Sequence, residues 1–185
     1  MNRAHIEYLS SPEWAMKLQE ELVPWLDAAG DLGDDVLEIG PGPGQTTDIL
    51  RRRATRVTAA ELDASLAAPL AERLAGTNVE VHCADATDLP FDTGRFSAVT
   101  MFSVLHHVPS PEEQDRVFAE VRRVLRPGGA FVGVDPVDRP DLRMSHDDDT
   151  FVPVDPATLP GRLEPFGFTE TTVDLIDFQF RFIAR

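Results

Sequence analysis

The chain has 185 residues, 42% hydrophobic and 26% charged, the balance of one globular domain rather than a disordered or fibrous chain. Its formal charge of −15 opposes a polyanionic partner, because phosphate neutralisation dominates nucleic-acid affinity. No apolar run approaches the roughly 18–20 residues of a membrane span, the first residues lack the order of a secretory leader, and the single cysteine, Cys83, excludes an intrachain disulfide, so the cytoplasm is the expected location. In chain order, Ser10-Ser11-Pro12-Glu13 signals a helix start. Trp14, Leu18, Leu22 and Trp25 recur at helical spacing behind it, and Pro24 is expected to bend or end the helix. Val36 to Ile39 is a short strand, Gln45 to about Arg53 a helix, and Arg56 to Ala60 a second strand. Arg51, Arg52, Arg53 and Arg56 suit the carbonyl end of that helix better than a nucleic-acid patch. Asp63 caps a helix carrying Leu66, Leu70 and Leu74.

The alternation continues with strands at Val79–Cys83 and Phe96–Phe102. Ser110-Pro111-Glu112-Glu113 is a capping box, followed by a core stripe of Val117, Phe118, Val121, Val124 and Leu125. Pro127-Gly128-Gly129 stops that helix and turns into the apolar run Ala130–Val134. Residues 135–156 form a loop or lid, a short helix lies near 157–166, and strands near 169–175 and 178–184 form a closing hairpin. Strand–helix alternation predicts an α/β fold, a mostly parallel sheet with helices on both faces and an antiparallel edge.

Glu38-Ile39-Gly40-Pro41-Gly42-Pro43-Gly44 lies between a strand and a helix, where glycines let the backbone approach a ligand. The dinucleotide fingerprint requires its third glycine where this chain has Gln45, and no P-loop Gly-Lys-Ser/Thr occurs. Pyrophosphate binding is therefore the poorer fit. Glu61 ends the second strand, where a carboxylate can accept hydrogen bonds from a ribose diol. Turn and acid together point to a nucleoside site.

From residue 30 to the end, the chain resembles the S-adenosylmethionine-dependent methyltransferases with the Rossmann-like seven-stranded fold. Val36–Gly44 looks like the family's first motif, and Ala60-Glu61-Leu62-Asp63 like its acidic motif. Cys83–Phe91 resembles the adenine-binding segment, Phe96–His107 the fourth strand and its loop, and Leu125–Gly129 the turn into the fifth strand. The resemblance implies a single doubly wound domain with strand order 3-2-1-4-5-7-6, strand 7 antiparallel, and residues 1–29 as a helical lid. It implies S-adenosyl-L-methionine as cofactor, held by Glu38, Gly40, Gly42, Gly44, Glu61, Leu62, Asp85, Ala86 and Phe102. Glu61 would take the ribose, Asp85 the adenine amino group, and the Ala86 backbone the ring.

Several residues carry a plainer reading alongside. Glu38 either is a solvated strand end or holds the loop amides or the cofactor ammonium. Asp85 and Asp88 also suit turns, and Cys83 is expected to be a small buried residue. His106 or His107 is the candidate general base; the alternative is one packed ring and one that fixes the loop. His5, Glu7 and Tyr8 either line the lid or fray. His146-Asp147-Asp148-Asp149 reads as a solvated acidic loop, and no metal site is expected. Trp14, Met101, Phe102 and Phe151 are either an apolar acceptor pocket or core. A small-molecule acceptor is expected, with the protein a monomer or homodimer. A nucleic-acid base is disfavoured by Ser103-Val104-Leu105-His106, which stands where base methylases of this fold carry an Asn/Asp-Pro-Pro-Tyr-type motif. The rivals are a non-catalytic cofactor-binding protein and a nicotinamide-dependent oxidoreductase. The second finds no Tyr-x-x-x-Lys pair here, since Lys17 is the only lysine and Tyr8 the only tyrosine.

Overall fold

The computed structural model describes residues 3–145 and 149–185. Seven strands form one sheet in the order β3-β2-β1-β4-β5-β7-β6. They are β1 (Asp35–Ile39), β2 (Arg56–Glu61), β3 (Val79–Cys83), β4 (Phe96–Phe102), β5 (Leu125–Pro136), β6 (Thr171–Ile176) and β7 (Gln179–Ala184). The first five pair in parallel, and β7 runs antiparallel to both of its neighbours, as the resemblance implied. Central β1 is buried at every position, as a strand carrying Val36, Leu37 and Ile39 must be when helices cover both faces.

The helices are α1 (Arg3–Leu9), α2 (Pro12–Lys17), α3 (Val23–Ala29), α4 (Gln45–Leu50), α5 (Ala64–Leu74), α6 (Pro111–Val124), α7 (Pro140–Ser145) and α8 (Leu159–Leu163). On one face of the sheet, Leu18, Leu22 and Leu26 join Ile49, Leu50, Leu70 and Leu74. On the other, Val117, Phe118, Val121 and Val124 meet Phe96, Phe131, Phe180 and Phe182. Ser11 caps α2 through the Trp14 amide, Asp63 caps α5 through Ser65, and Ser110 caps α6 through Glu113.

The structure differs from the expectations at four places. Pro24 does not end its helix: Leu18–Leu22 forms a π turn in which the Val23 amide reaches back to the Leu18 carbonyl. Widening the ladder ahead of a residue without an N–H lets helix follow Pro24 as far as Ala29. Leu125 is buried but opens β5, paired with Phe96, rather than completing the helical stripe. The expected 135–156 loop is shorter, because β5 runs to Pro136 and Pro140–Ser145 is helical. Cys83 is exposed, since β3 is the sheet edge and its last residue has no covering helix. In the arginine cluster that follows α4, Arg51 pairs with Asp48, Arg53 with Asp27, and Arg56 with Asp35. Among the described residues no helix is long and apolar enough to cross a membrane.

Candidate functional site

The chain leaves β1 to build β2 and β3 on one side and returns to place β4 on the other, so a crevice opens at the strand ends beside β1. Open α/β sheets bind ligands at such a switch point. A cleft of about 530 Å³ lies there, within the usual size of small-molecule sites. Its floor is the turn after β1, where Gly40, Gly42 and Gly44 all have left-handed φ values of +68°, +53° and +87°. The Gly40 amide donates to the Ala60 carbonyl at 2.8 Å. A Cβ on Gly40 would meet Val104 at 2.5 Å, so the loop after β4 can close on this turn only because residue 40 has no side chain.

Glu61 reaches the cleft from the end of β2. Its Oε2 accepts the Gly42 amide at 2.9 Å and its Oε1 accepts the Asp63 amide at 3.0 Å. Leu62 is a largely exposed apolar side chain at the rim. Beyond β3, Asp85 takes both the amide and the hydroxyl of Thr87 on Oδ1, each at 2.8 Å. Asp85, Ala86 and Thr87 line the cleft, as do Met101, Phe102, Ser103 and Val104 from the end of β4. Leu9 and Trp14 form part of the wall from α1 and α2.

Two residues expected to touch the cofactor sit behind it. Glu38 is buried, and its carboxylate accepts the hydroxyls of Thr46 and Thr47 in the first turn of α4. Burial pushes its pKa up to about 7, against the pull of those two hydroxyls. Glu38 is therefore neither solvated nor bonded to loop amides; of its two partners, Thr46 lines the cleft. Gly44 is also absent from the lining. A side chain there would run into Leu70 and Arg73 of α5.

The structure places the two histidines differently. His106 is buried, and its Nδ1 donates to Asp135 Oδ1 at 2.9 Å. Burial raises the Asp135 pKa, opposed by the charge and hydrogen bond of His106 and by the amides of His106 and Leu105. Phe151 packs edge-on against His106 at 5.5 Å rather than facing the cleft. His107 does line the cleft, its ring 4.1 Å from that of His106. Its Nδ1 lies 3.1 Å from the Thr150 carbonyl. A carbonyl only accepts, so this bond assigns the neutral ring's proton to Nδ1 and makes Nε2 its basic nitrogen. Burial would raise the Asp149 pKa, but the positive charge that His107 carries when protonated and the Thr150 amide hold it below the ordinary carboxylate value.

Gln114 was not foreseen. It is buried in α6, and its amide nitrogen donates to the carbonyls of Leu105 at 3.1 Å and Val152 at 2.8 Å. Together with the Val152 amide bonded to the His106 carbonyl, it fastens residues 150–152 onto the histidine turn. Its signal was legible: Gln114 is the polar residue on a stripe continued by Val117, Phe118 and Val121. Asp135 had a weaker signal, as an acid closing an apolar strand. Of the expected lid residues, Tyr8 packs on Trp14 at 5.5 Å while Leu9 lines the cleft, and Glu7 is exposed on α1. The side chain of His5, and His146, Asp147 and Asp148, lie outside the described residues.

The described lining residues include Glu61, Asp63, Asp85, Glu113 and Asp149 and no Lys or Arg. This donor set fits S-adenosylmethionine: acceptors for a ribose diol and an amino group, an open glycine turn, and acidic surroundings for a sulfonium and an ammonium. A pyrophosphate would find no cationic side chain.

Fold and cleft define the class: a Rossmann-like α/β domain with an acidic ligand site at its switch point. A family model described as a methyltransferase domain matches residues 37–133, more than half of the chain. The chain belongs to the S-adenosylmethionine-dependent methyltransferase family. It is 38% identical over 101 residues to a demethylmenaquinone methyltransferase of Clavibacter sepedonicus, covering 54% of this chain and 40% of the relative. It is 34% identical over 110 residues to the ubiquinone/menaquinone biosynthesis C-methyltransferase UbiE of Desulfotalea psychrophila, covering 58% and 44%. The chain thus spans about two fifths of the length of these curated relatives. The structure of a DhpI–SAM–HEP complex superposes with a TM-score of 0.77 at 26% identity, covering 98% of this chain and 91% of that one.

Proposed function

We propose that the protein transfers the methyl group of S-adenosylmethionine to a small-molecule acceptor. The observation that carries this reading is the cleft itself, which joins a glycine turn to Glu61 and Asp85 and has no Lys or Arg among its described lining residues. Bound S-adenosylmethionine supplies a methyl group already activated on a positive sulfur. The chain's work is then to bind, align and keep water out. Glu61 takes the ribose diol and Asp85 the adenine amino group, with the Ala86 backbone, Leu62 and Phe102 against the ring and its sugar. Gly40 and Gly42 leave room for the amino-acid part, while Glu38 and Gly44 act through the loop that they shape.

At the acceptor end, His107 takes the proton of a hydroxyl or acidic carbon; an amine acceptor needs no such base. His106, pinned by Asp135, supports the His107 ring. Residues 1–29 serve as the lid, Leu9 and Trp14 being its cleft-facing part. We place the protein in the cytoplasm as a monomer or homodimer.

Calorimetric titration with S-adenosylmethionine, S-adenosylhomocysteine and NADH tests the cofactor, and labelled methyl transfer to a small-molecule panel tests the reaction. Saturable binding of the sulfur ligands alone is expected. NADH binding alone would make the protein an oxidoreductase, and binding without transfer to any acceptor would favour a non-catalytic binding protein.

A further inference from the structure

We propose that Arg73 is a positioning residue for the cofactor loop, holding the turn at Gly44 from behind. The inference rests on the methyltransferase reading. Arg73 stands near the end of α5, where an arginine ordinarily serves the carbonyl end of its own helix. Its guanidinium instead reaches across to the glycine turn. Nη2 donates to the carbonyls of Pro43 and Gly44, each at 3.2 Å, and Nη1 donates to Asp48 Oδ2 at 2.6 Å. Asp48 belongs to α4, the helix that the turn opens, and Arg51 Nε holds its other oxygen at 2.8 Å.

Glycine at position 44, which its left-handed φ of +87° favours in any case, leaves the guanidinium's path to the turn clear. A Cβ there would lie 2.5 Å from Arg73 Nη2 and collide with Leu70. Gly44 does not line the cleft, whereas Pro43 before it and Gln45 and Thr46 after it do. With both carbonyls held outward, the planar peptide between Pro43 and Gly44 cannot rotate, and the Gly44 amide keeps its 2.9 Å bond to the Pro41 carbonyl. A turn with three left-handed residues has many conformations to lose. Arg73 removes that freedom before the ligand arrives, which raises affinity without any contact to the ligand.

The test titrates S-adenosylhomocysteine into the wild type and into Arg73→Met, Arg73→Lys and Asp48→Asn, below their melting temperatures. Arg73→Met should weaken binding about tenfold or more, Arg73→Lys less, and Asp48→Asn by an intermediate factor. The Arg73→Met/Asp48→Asn double variant should bind no worse than Arg73→Met alone, because Asp48 acts through the arginine. Hydrogen exchange at the Gly44 amide should quicken in Arg73→Met while amides of β4 keep their protection. Should Arg73→Met fail to fold, Arg73→Lys and Asp48→Asn carry the comparison. Folded variants that all bind within twofold of wild type overturn the clamp, as do additive losses in the double variant. A wild type that binds neither sulfur ligand overturns the methyltransferase reading first, and the clamp with it.

Discussion

Glu61 illustrates how much one side chain can join. It ties the end of β2 to the Gly42 amide, so it shapes the turn as well as offering acceptors for a ribose. Glu61→Ala removes both at once. Hydrogen bonds to charged groups contribute about 1.5–3 kcal/mol, so S-adenosylhomocysteine affinity should fall by about 10- to 100-fold in a chain that stays folded. Calorimetry reads this directly, and unchanged affinity would remove Glu61 from the site. Glu38 leads to a pH prediction. Its folded pKa is pushed up to about 7 from an ordinary 4.5, so between those values the folded chain keeps a proton that the unfolded chain has lost. Stability therefore falls as pH rises through that window, by an amount on the order of 3 kcal/mol from this group. Glu38→Gln cannot ionise. Denaturant unfolding at both ends of the window should show it gaining on the wild type as pH rises; parallel pH profiles would refute the burial effect.

At the scale of elements, the helices and strands were legible wherever one short-range rule ruled. Ser110 before Pro111 starts α6, and the Val117-Phe118-Val121-Val124 spacing aims it at the core. The misread positions are those where a distant partner decides. Pro24 was read as bending or ending its helix, and packing of Leu18, Leu22 and Leu26 on the sheet keeps the helix going through a π turn. Gly44 was read as part of a ligand cradle, although what approaches it comes from α5. Gln114 joins three segments from within α6, so Gln114→Leu should strip a donor from two carbonyls and release the 150–152 strap. Leaving such groups unpaired costs about 1–3 kcal/mol each. Equilibrium unfolding should show a loss of that order, with faster exchange at the Val152 amide; a neutral substitution would mean that the strap does not depend on Gln114.

For the whole molecule, the −15 charge stores self-repulsion that salt relieves. Raising salt from about 0.01 M to about 0.15 M shortens the Debye length from about 30 to about 8 Å, so the melting temperature should rise by a few degrees. Double-stranded RNA should show no shift in a binding gel even at the lower salt, and saturable binding would reopen the base-methylation route. The sequence alone determined the alternating α/β architecture, the glycine turn at a strand end and the acid that closes the second strand, because these follow from local periodicity and from motifs contiguous in the chain, while the strand order followed from the family resemblance those motifs carry. Only the tertiary structure decided which of two adjacent histidines faces the cleft, why Glu38 is buried beneath the turn, and which glycine a guanidinium approaches. Those outcomes depend on Asp135, the α4 hydroxyls and Arg73, groups brought together by packing and encoded by no spacing along the chain.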